Sequence, residues 1–399
     1  MSSDIPSVDE ERDTTAAATD PVADYLADLA SRVGVPDESS AAAAHTRWDS
    51  LTKPVGALGR LEDLGTWICS VQGECPPRAL TRPRLVIFAG DHGVVTSAGT
   101  SAYPSAVTAE MVRNFLQGGA AANVLARQHG VGIRVVDVAV DVDWEETGLP
   151  VPEQLTRFKV RRSSRPLDRV DPLTRAESWA AFRAGIQIAE EEVDAGADLL
   201  IAGDMGIGNT TAAAALTGVL CRLNAAEVVG RGTGIDDDTW MRKTAAVRNA
   251  MFRARHLRAD PIGLLAAAGG ADLAAMAGFL TGAAARGVPV LLDGAVVGAA
   301  ALVASVVSYR GRLWWVAGHR SVEPAHTAAL ARLRLEPILD LQMRLGEGSG
   351  ALVALPIVVS AVELLRDMAT FAAAGVSGGD GPAQPTAASD EALADTASP

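Results

Sequence analysis

Short β-branched or leucine-rich runs recur along the chain, each followed by glycine or aspartate and then by a longer stretch with helical spacing of its apolar residues. The runs are Leu85-Val-Ile-Phe88, Ile133-Arg-Val-Val136, Leu199-Leu-Ile201, Val288-Pro-Val-Leu-Leu292 and Leu313-Trp-Trp-Val316. Strand-length apolar segments that alternate with helix-length ones predict a parallel sheet joined by crossover helices. The pattern shows no fixed repeat. Residues 1–22 are acidic and rich in Ser, Thr and Ala, and Ser377–Pro399 is a Gly/Pro/Ala/Asp tract. Both are expected to be disordered tails, because neither has enough apolar surface to offset chain entropy. The longest apolar stretch, Ala295–Val307, is shorter than the roughly 20 residues that span a bilayer and follows Asp293 closely, so it predicts a buried helix.

The chain has 399 residues, more than the usual domain range of about 50 to 250, which implies two domains or one large domain with an appendage. Hydrophobic residues make up 48% but aromatic residues only 4%, and there are 39 glycines; this favours close-packed helices and glycine turns over an aromatic-rich sandwich. A net charge of −13 argues against a nucleic-acid partner, since binding a polyanion needs many Lys and Arg to displace its counterions. Any phosphate bound must then be small and gripped locally. Cys69, Cys75 and Cys221 form no C-x-x-C pair and cannot all be paired, as expected of idle thiols in a reducing compartment. The N-terminus has neither a basic start nor an apolar core, so a cytoplasmic protein without a membrane anchor is expected.

Four of the apolar runs lead into polar, glycine-containing loops: Asp91-His92-Gly93, Gly203 to Thr211, Asp293-Gly294 and Gly318-His319-Arg320-Ser321. In an open parallel sheet such loops converge beyond the carboxyl ends of the strands, where ligands bind. Each loop taken singly also fits a plain tight turn with a capping residue. In Gly203-Asp204-Met205-Gly206-Ile207-Gly208-Asn209-Thr210-Thr211 the unpaired amides of a first helical turn, with the Thr210 and Thr211 hydroxyls, form a small anion cradle that Gly206 and Gly208 open to close approach. It is neither a Walker loop nor G-x-G-x-x-G, which favours a monophosphate. A second turn, Gly230-Arg-Gly-Thr-Gly234, precedes Arg242 and Lys243, either of which can supply a cation or simply lie on a solvated helix face. Glu347, between Gly346 and Gly348, is the candidate general base; the competing reading is an acidic residue decorating a helix start. His92, His319 and His326, with Asp91 and Glu323, fit no compact zinc pattern, so no metal is assigned and the histidines are read as pocket walls or loop-locking groups. The absence of G-x-S-x-G leaves a nucleophilic serine with little support.

Together, Thr52-Lys-Pro-Val-Gly-Ala-Leu-Gly-Arg-Leu-Glu62, Ala89-Gly-Asp-His-Gly-Val94, Val107 to Val112 with Asn114 to Ala121, Gly206-Ile-Gly-Asn-Thr-Thr211, Leu292-Asp-Gly294 and Arg344 to Gly350 resemble the nicotinate-nucleotide:dimethylbenzimidazole phosphoribosyltransferase family. The resemblance runs in order from about residue 51 to 371. It implies transfer of a phosphoribosyl group from nicotinate mononucleotide to a benzimidazole, giving α-ribazole 5′-phosphate for the cobalamin lower ligand and releasing nicotinate, with no cofactor. The family's catalytic glutamate falls on Glu347. Its phosphate and ribose residues fall on Asp204, Gly206, Gly208, Asn209, Thr210, Lys243, Asp293, Gly294 and Ser321, and its base pocket on Ser101, Tyr103, Glu110 and Met343. Asp204 stands where a glutamate is usual, and Glu110 where glutamine is expected.

The family arrangement implies an α/β fold: a large domain with a mainly parallel, Rossmann-like sheet over residues 68–337, and a small helical domain from 23–67 and 338–376 that carries Glu347. It also implies a homodimer. Two other readings stay open on the residues alone: a catalytically silent sensor of nucleotides or benzimidazoles, and a sugar-phosphate phosphatase or isomerase that uses Asp91 and His92.

Overall fold

The computed structural model describes residues 20–148 and 150–377. Most of the two expected tails, 1–19 and 378–399, therefore lies outside the described residues. The N-terminal boundary at residue 22 is corrected: Asp20 caps a helix, Pro21–Arg32, by accepting from the Val22 amide at 3.0 Å, and proline occupies its first turn.

Among the described residues five strands form one wholly parallel sheet: β1 (Pro83–Gly90), β2 (Gly132–Ala139), β3 (Leu199–Met205), β4 (Val290–Leu292) and β5 (Trp315–Ala317). Their order is β2-β1-β3-β4-β5, so the direction of winding reverses between β1 and β3, and this switch point is where open α/β sheets place their ligands. Register aligns the ends of these strands, pairing Phe88 with Asp204 and Ala89 with Met205. All five apolar runs supply strand residues, but the last is shifted. Leu313 and Trp314 belong to a 3-10 turn, Tyr309–Trp314, in which the Trp314 indole donates to the Gly34 carbonyl at 3.0 Å.

The glycine and alanine content is used in helix packing. Helix Ala271–Ala285 is buried along nearly its full length and crosses helix Arg175–Asp194, which begins with a Thr174/Glu177 capping box. At this crossing a side chain on Gly185 would meet the Ala275 carbonyl, and one on Gly278 would meet that of Phe182. Helix Ala295–Val307 is buried as expected. Among the described residues, Ser349–Asp367 is long and apolar enough by composition to cross a membrane, which corrects the expectation that Ala295–Val307 is the longest such stretch. Leu352, Leu355, Val358, Val362 and Leu365 form a fully buried face along it, as in a core helix.

The chain divides into two compact units. The larger comprises residues up to Val35 together with Thr81–Leu355; the smaller comprises Pro36–Leu80 with the chain from Pro356 onward. The division thus falls away from the expected boundaries at 67/68 and 337/338, and Glu347 belongs to the sheet-bearing unit. Long-range contacts explain this. Tyr25 packs edge-on against Trp179 at 5.2 Å between ring centroids. The Ile338 and Leu339 amides donate to the Ala317 and Gly318 carbonyls at 2.9 and 3.0 Å at the end of β5.

The smaller unit is helical and is built on Trp48, packed with Ala44, Leu51, Cys69 and Leu365. Its Lys53 and Glu62 pair at 2.8 Å, which gives part of the Thr52–Glu62 motif a structural role.

Candidate active site

Beyond β3 the chain turns through Gly206, Ile207 and Gly208 into helix Asn209–Cys221. A side chain on Gly206 would strike the Gly90 carbonyl, and Gly208 has φ +97 with His92 and Val95 against it, so both glycines are sterically required. The helix begins without a side-chain cap. The Asn209 and Thr211 amides are taken by the Gly206 and Gly208 carbonyls at 3.2 and 3.0 Å, so the N-terminus offers an anion its dipole and the Gly208 and Thr210 amides.

Gly206 to Thr210 line a cavity of about 210 Å3, with Asp204, Ser101, Tyr103, Gly232, Thr233, Lys243, Gly294, His319, Ser321, Glu323 and Arg344 completing much of its wall. Lys243 comes from helix Asp237–Ala254 and is 1% exposed. Its ammonium donates to Thr210 Oγ1 at 2.9 Å and to the Gly230 carbonyl at 3.3 Å. Burial pushes its pKa down, and the Glu323 charge opposes that shift. Glu323 itself accepts from the Gly232 amide at 2.8 Å. Among the described residues Lys243 makes no ion pair within bonding distance. A buried cation hydrogen-bonded to a hydroxyl and a carbonyl, beside an uncapped helix N-terminus, can receive a small anion.

Asp204 is buried, and its Oδ2 accepts from Asn209 Nδ2 at 2.8 Å while Oδ1 has no partner. Burial first, then the charges of Asp293 and Asp272, hold its pKa well above the ordinary carboxylate range. Ser321 lines the cavity; its amide donates to His326 Nδ1 at 2.9 Å. Opposite, Thr233 Oγ1 accepts from the Ala102 amide at 3.0 Å and so ties the Ser101–Tyr103 segment to the Gly230–Gly234 turn. Arg344 donates to the Gly232 carbonyl at 2.8 Å and ties the approach to Glu347 to the same turn.

Gly346, Glu347 and Gly348 have φ of 85, 64 and 81. Three successive left-handed residues explain the flanking glycines, and Glu347 occupies a region that non-glycine residues rarely adopt. The turn is held from below. The Glu347 amide donates to the Asp204 carbonyl at 3.2 Å. Asp293 Oδ2 accepts from the Gly348 amide at 3.1 Å, and Oδ1 accepts from those of Gly350 and Ala351 at 2.8 and 3.1 Å. Glu347 is 5% exposed, and its Oε2 accepts weakly from the Ala122 amide at 3.4 Å. Burial raises its pKa; the Ala122 bond lowers it and the Asp293 charge adds to the rise.

The sequence-predicted residues are thus only partly brought together. Asp204, Gly206, Gly208, Asn209, Thr210, Lys243, Gly294, Ser321, Ser101 and Tyr103 share one cavity. Glu347 follows directly on the wall residues Arg344, Leu345 and Gly346. Asp293 is placed differently from the expectation of a ribose or phosphate contact, because both of its oxygens hold the Glu347 turn. Glu110 is exposed on its helix, and the Met343 carbonyl accepts from the Val322 amide at 3.3 Å; neither lines this cavity. Thr233 and Arg344 were not singled out, although the Gly230–Gly234 turn and the Arg344–Gly350 motif contain them.

His92 and His326 lock loops: His92 Nε2 meets Asp272 Oδ2 at 3.1 Å, both buried, and His326 Nδ1 accepts from the Ser321 amide. His319 is a wall residue of the cavity, its Nε2 3.4 Å from Asp293 Oδ1 but without a hydrogen bond. Among the described residues no group of three or more His, Cys, Asp and Glu side chains is arranged to hold a metal ion.

Residues 33–376 match a family model described as phosphoribosyltransferase. A protein of Mycolicibacterium paratuberculosis named nicotinate-nucleotide–dimethylbenzimidazole phosphoribosyltransferase is 60% identical over 345 residues, covering 86% of this chain and 97% of that protein. The protein of the same name from Mycobacterium tuberculosis is 59% identical over 345 residues, covering 86% and 94%. The crystal structure of CobT from Thermus thermophilus superposes with a TM-score of 0.81 at 43% identity, covering 86% of this chain and all of that one.

Proposed function

Because the chain belongs to the nicotinate-nucleotide–dimethylbenzimidazole phosphoribosyltransferase family, we propose that the cavity beyond β1 and β3 carries out the transfer with the residues in the following roles. The enzyme is a phosphoribosyltransferase that takes nicotinate mononucleotide and a benzimidazole. The observation that carries the assignment of the phosphate is Lys243, a buried ammonium with uncharged partners beside the bare N-terminus of helix Asn209–Cys221. The nucleotide phosphate completes that pair and anchors the ribose, with Ser321 and Gly294 on the adjoining wall.

In nicotinate mononucleotide the ring nitrogen is positively charged, so the bond from C1′ to that nitrogen breaks with its electron pair returning to the ring. One benzimidazole nitrogen attacks C1′ from the opposite face, converting β to α. The other loses its proton to the Glu347 carboxylate. Burial, with the Asp293 charge adding to it, raises the pKa of that carboxyl, the direction that makes a carboxylate a stronger base. Holding both rings about one ribose supplies the proximity term. Ser101 and Tyr103, which line the cavity, are assigned to the base. Asp204, which lines the cavity and whose Oδ1 has no partner, is assigned to the substrates. The product is α-ribazole 5′-phosphate. A homodimer and a cytoplasmic location belong to the same reading.

The test is incubation of the full chain with nicotinate mononucleotide and dimethylbenzimidazole. Release of nicotinate with stoichiometric α-ribazole 5′-phosphate is expected; no release with any benzimidazole overturns the reading.

A further inference from the structure

The turn assigned to the phosphate is itself supported by groups outside the cavity wall. The Ile207 amide, one residue beyond Gly206, donates to Thr108 Oγ1 at 3.0 Å. Thr108 Oγ1 donates to Asp91 Oδ1 at 2.6 Å, and Asp91 Oδ2 accepts from the Asp141 amide at 2.8 Å. Thr108 is 0% exposed and Asp91 2%. A backbone amide can only donate, so the Thr108 oxygen must accept from Ile207, and its single proton is directed to Asp91. The sense of the whole relay is therefore fixed. Thr108 lies on helix Ala106–Gln117 outside the cavity wall.

We infer that Thr108, backed by Asp91, is a positioning residue for the nucleotide phosphate: it fixes the Ile207 peptide so that the Gly208 and Thr210 amides face the anion, the Asn209 amide between them being held by the Gly206 carbonyl at 3.2 Å. This rests on the phosphate assignment given above. Gly206 is wedged against the Gly90 carbonyl on the same underside, so the end of β1 and the Ala106–Gln117 helix together set the orientation of the turn. Removing the hydroxyl leaves a buried amide without its acceptor and frees the peptide to rotate.

The experiment measures KM for nicotinate mononucleotide and for dimethylbenzimidazole, with kcat, in the wild type and in Thr108→Val, Thr108→Ser and Thr108→Cys. In Thr108→Val the mononucleotide KM is expected to rise roughly tenfold, the effect of losing about one buried hydrogen bond, while kcat and the benzimidazole KM change less than about twofold. Thr108→Ser, which keeps the hydroxyl, restores the wild-type value. If Thr108→Val does not fold, Thr108→Cys reads the same bond through a much weaker acceptor. An unchanged mononucleotide KM, or an equal rise for both substrates, overturns the inference. Lys243→Met separates the two levels. If it raises the mononucleotide KM while Thr108→Val does not, the phosphate site stands and the positioning role falls; if neither variant raises it, the phosphate assignment itself falls.

Discussion

At the scale of single residues, Lys243 shows most directly what the site is for. A charge taken out of water costs several kcal/mol, roughly, even after relaxation, and at Lys243 the Glu323 charge offsets this without a direct ion pair, which leaves the ammonium able to gain from a bound anion. Lys243→Met should raise the mononucleotide KM by about 10- to 100-fold, as expected when a charged hydrogen bond worth about 1.5–3 kcal/mol is lost. Inorganic phosphate should raise the melting temperature of the wild type but not of this variant; equal protection of both would contradict the assignment. His326 provides a separate test. Burial first, then the His319 charge, lowers its pKa from 6.5 to about 3. The unfolded chain takes up that proton below about 6.5 while the folded one resists it to about 3, so the contribution to stability is intact above the first value and lost as pH falls towards the second. Asparagine can keep the acceptor that the Ser321 amide uses and cannot titrate, so His326→Asn should move acid unfolding to lower pH. A midpoint at the same or higher pH would refute this. Asp91 acts in the opposite sense: burial raises its pKa from 3.8 to about 6, so its contribution declines as pH rises through that interval.

At the scale of elements, the crossing of helices Arg175–Asp194 and Ala271–Ala285 sets a steric limit on two glycines. Gly185→Ala pushes a methyl into the Ala275 carbonyl and should destabilise by about 1–3 kcal/mol, the range for overpacking. An unchanged denaturant midpoint would contradict the close approach. The strands and the loops that follow them were legible in the sequence because each is a local pattern: a short apolar run, then glycine with a polar residue. The exception is instructive. Leu313 and Trp314 read as strand, but the Trp314 indole reaches back to Gly34, a partner 280 positions away that no local pattern reveals. The Asp293 side chain is a similar case. Its place after β4 was readable, yet its acceptors are taken by amides of Gly348, Gly350 and Ala351, so the structure gives it the Glu347 turn to hold.

At the scale of the whole molecule, the sequence carried the fold class, the switch-point site and most of the cavity wall, since glycine loops after parallel strands have one common destination. It did not carry the division of the chain. Residues 23–35 and 338–355 join the sheet-bearing unit through Tyr25 on Trp179 and through backbone bonds at the end of β5, contacts that depend on tertiary packing. That division puts Glu347 in the same unit as Lys243 and the Gly206–Thr210 turn, one residue beyond the wall residue Gly346. The most direct measurement is turnover of Glu347→Gln with saturating nicotinate mononucleotide and dimethylbenzimidazole. The account predicts that kcat falls by about 10²- to 10⁴-fold, the usual contribution of a general base, with the mononucleotide KM within about threefold of wild type. A variant that releases nicotinate at the wild-type rate would contradict the claim that this carboxylate takes the proton.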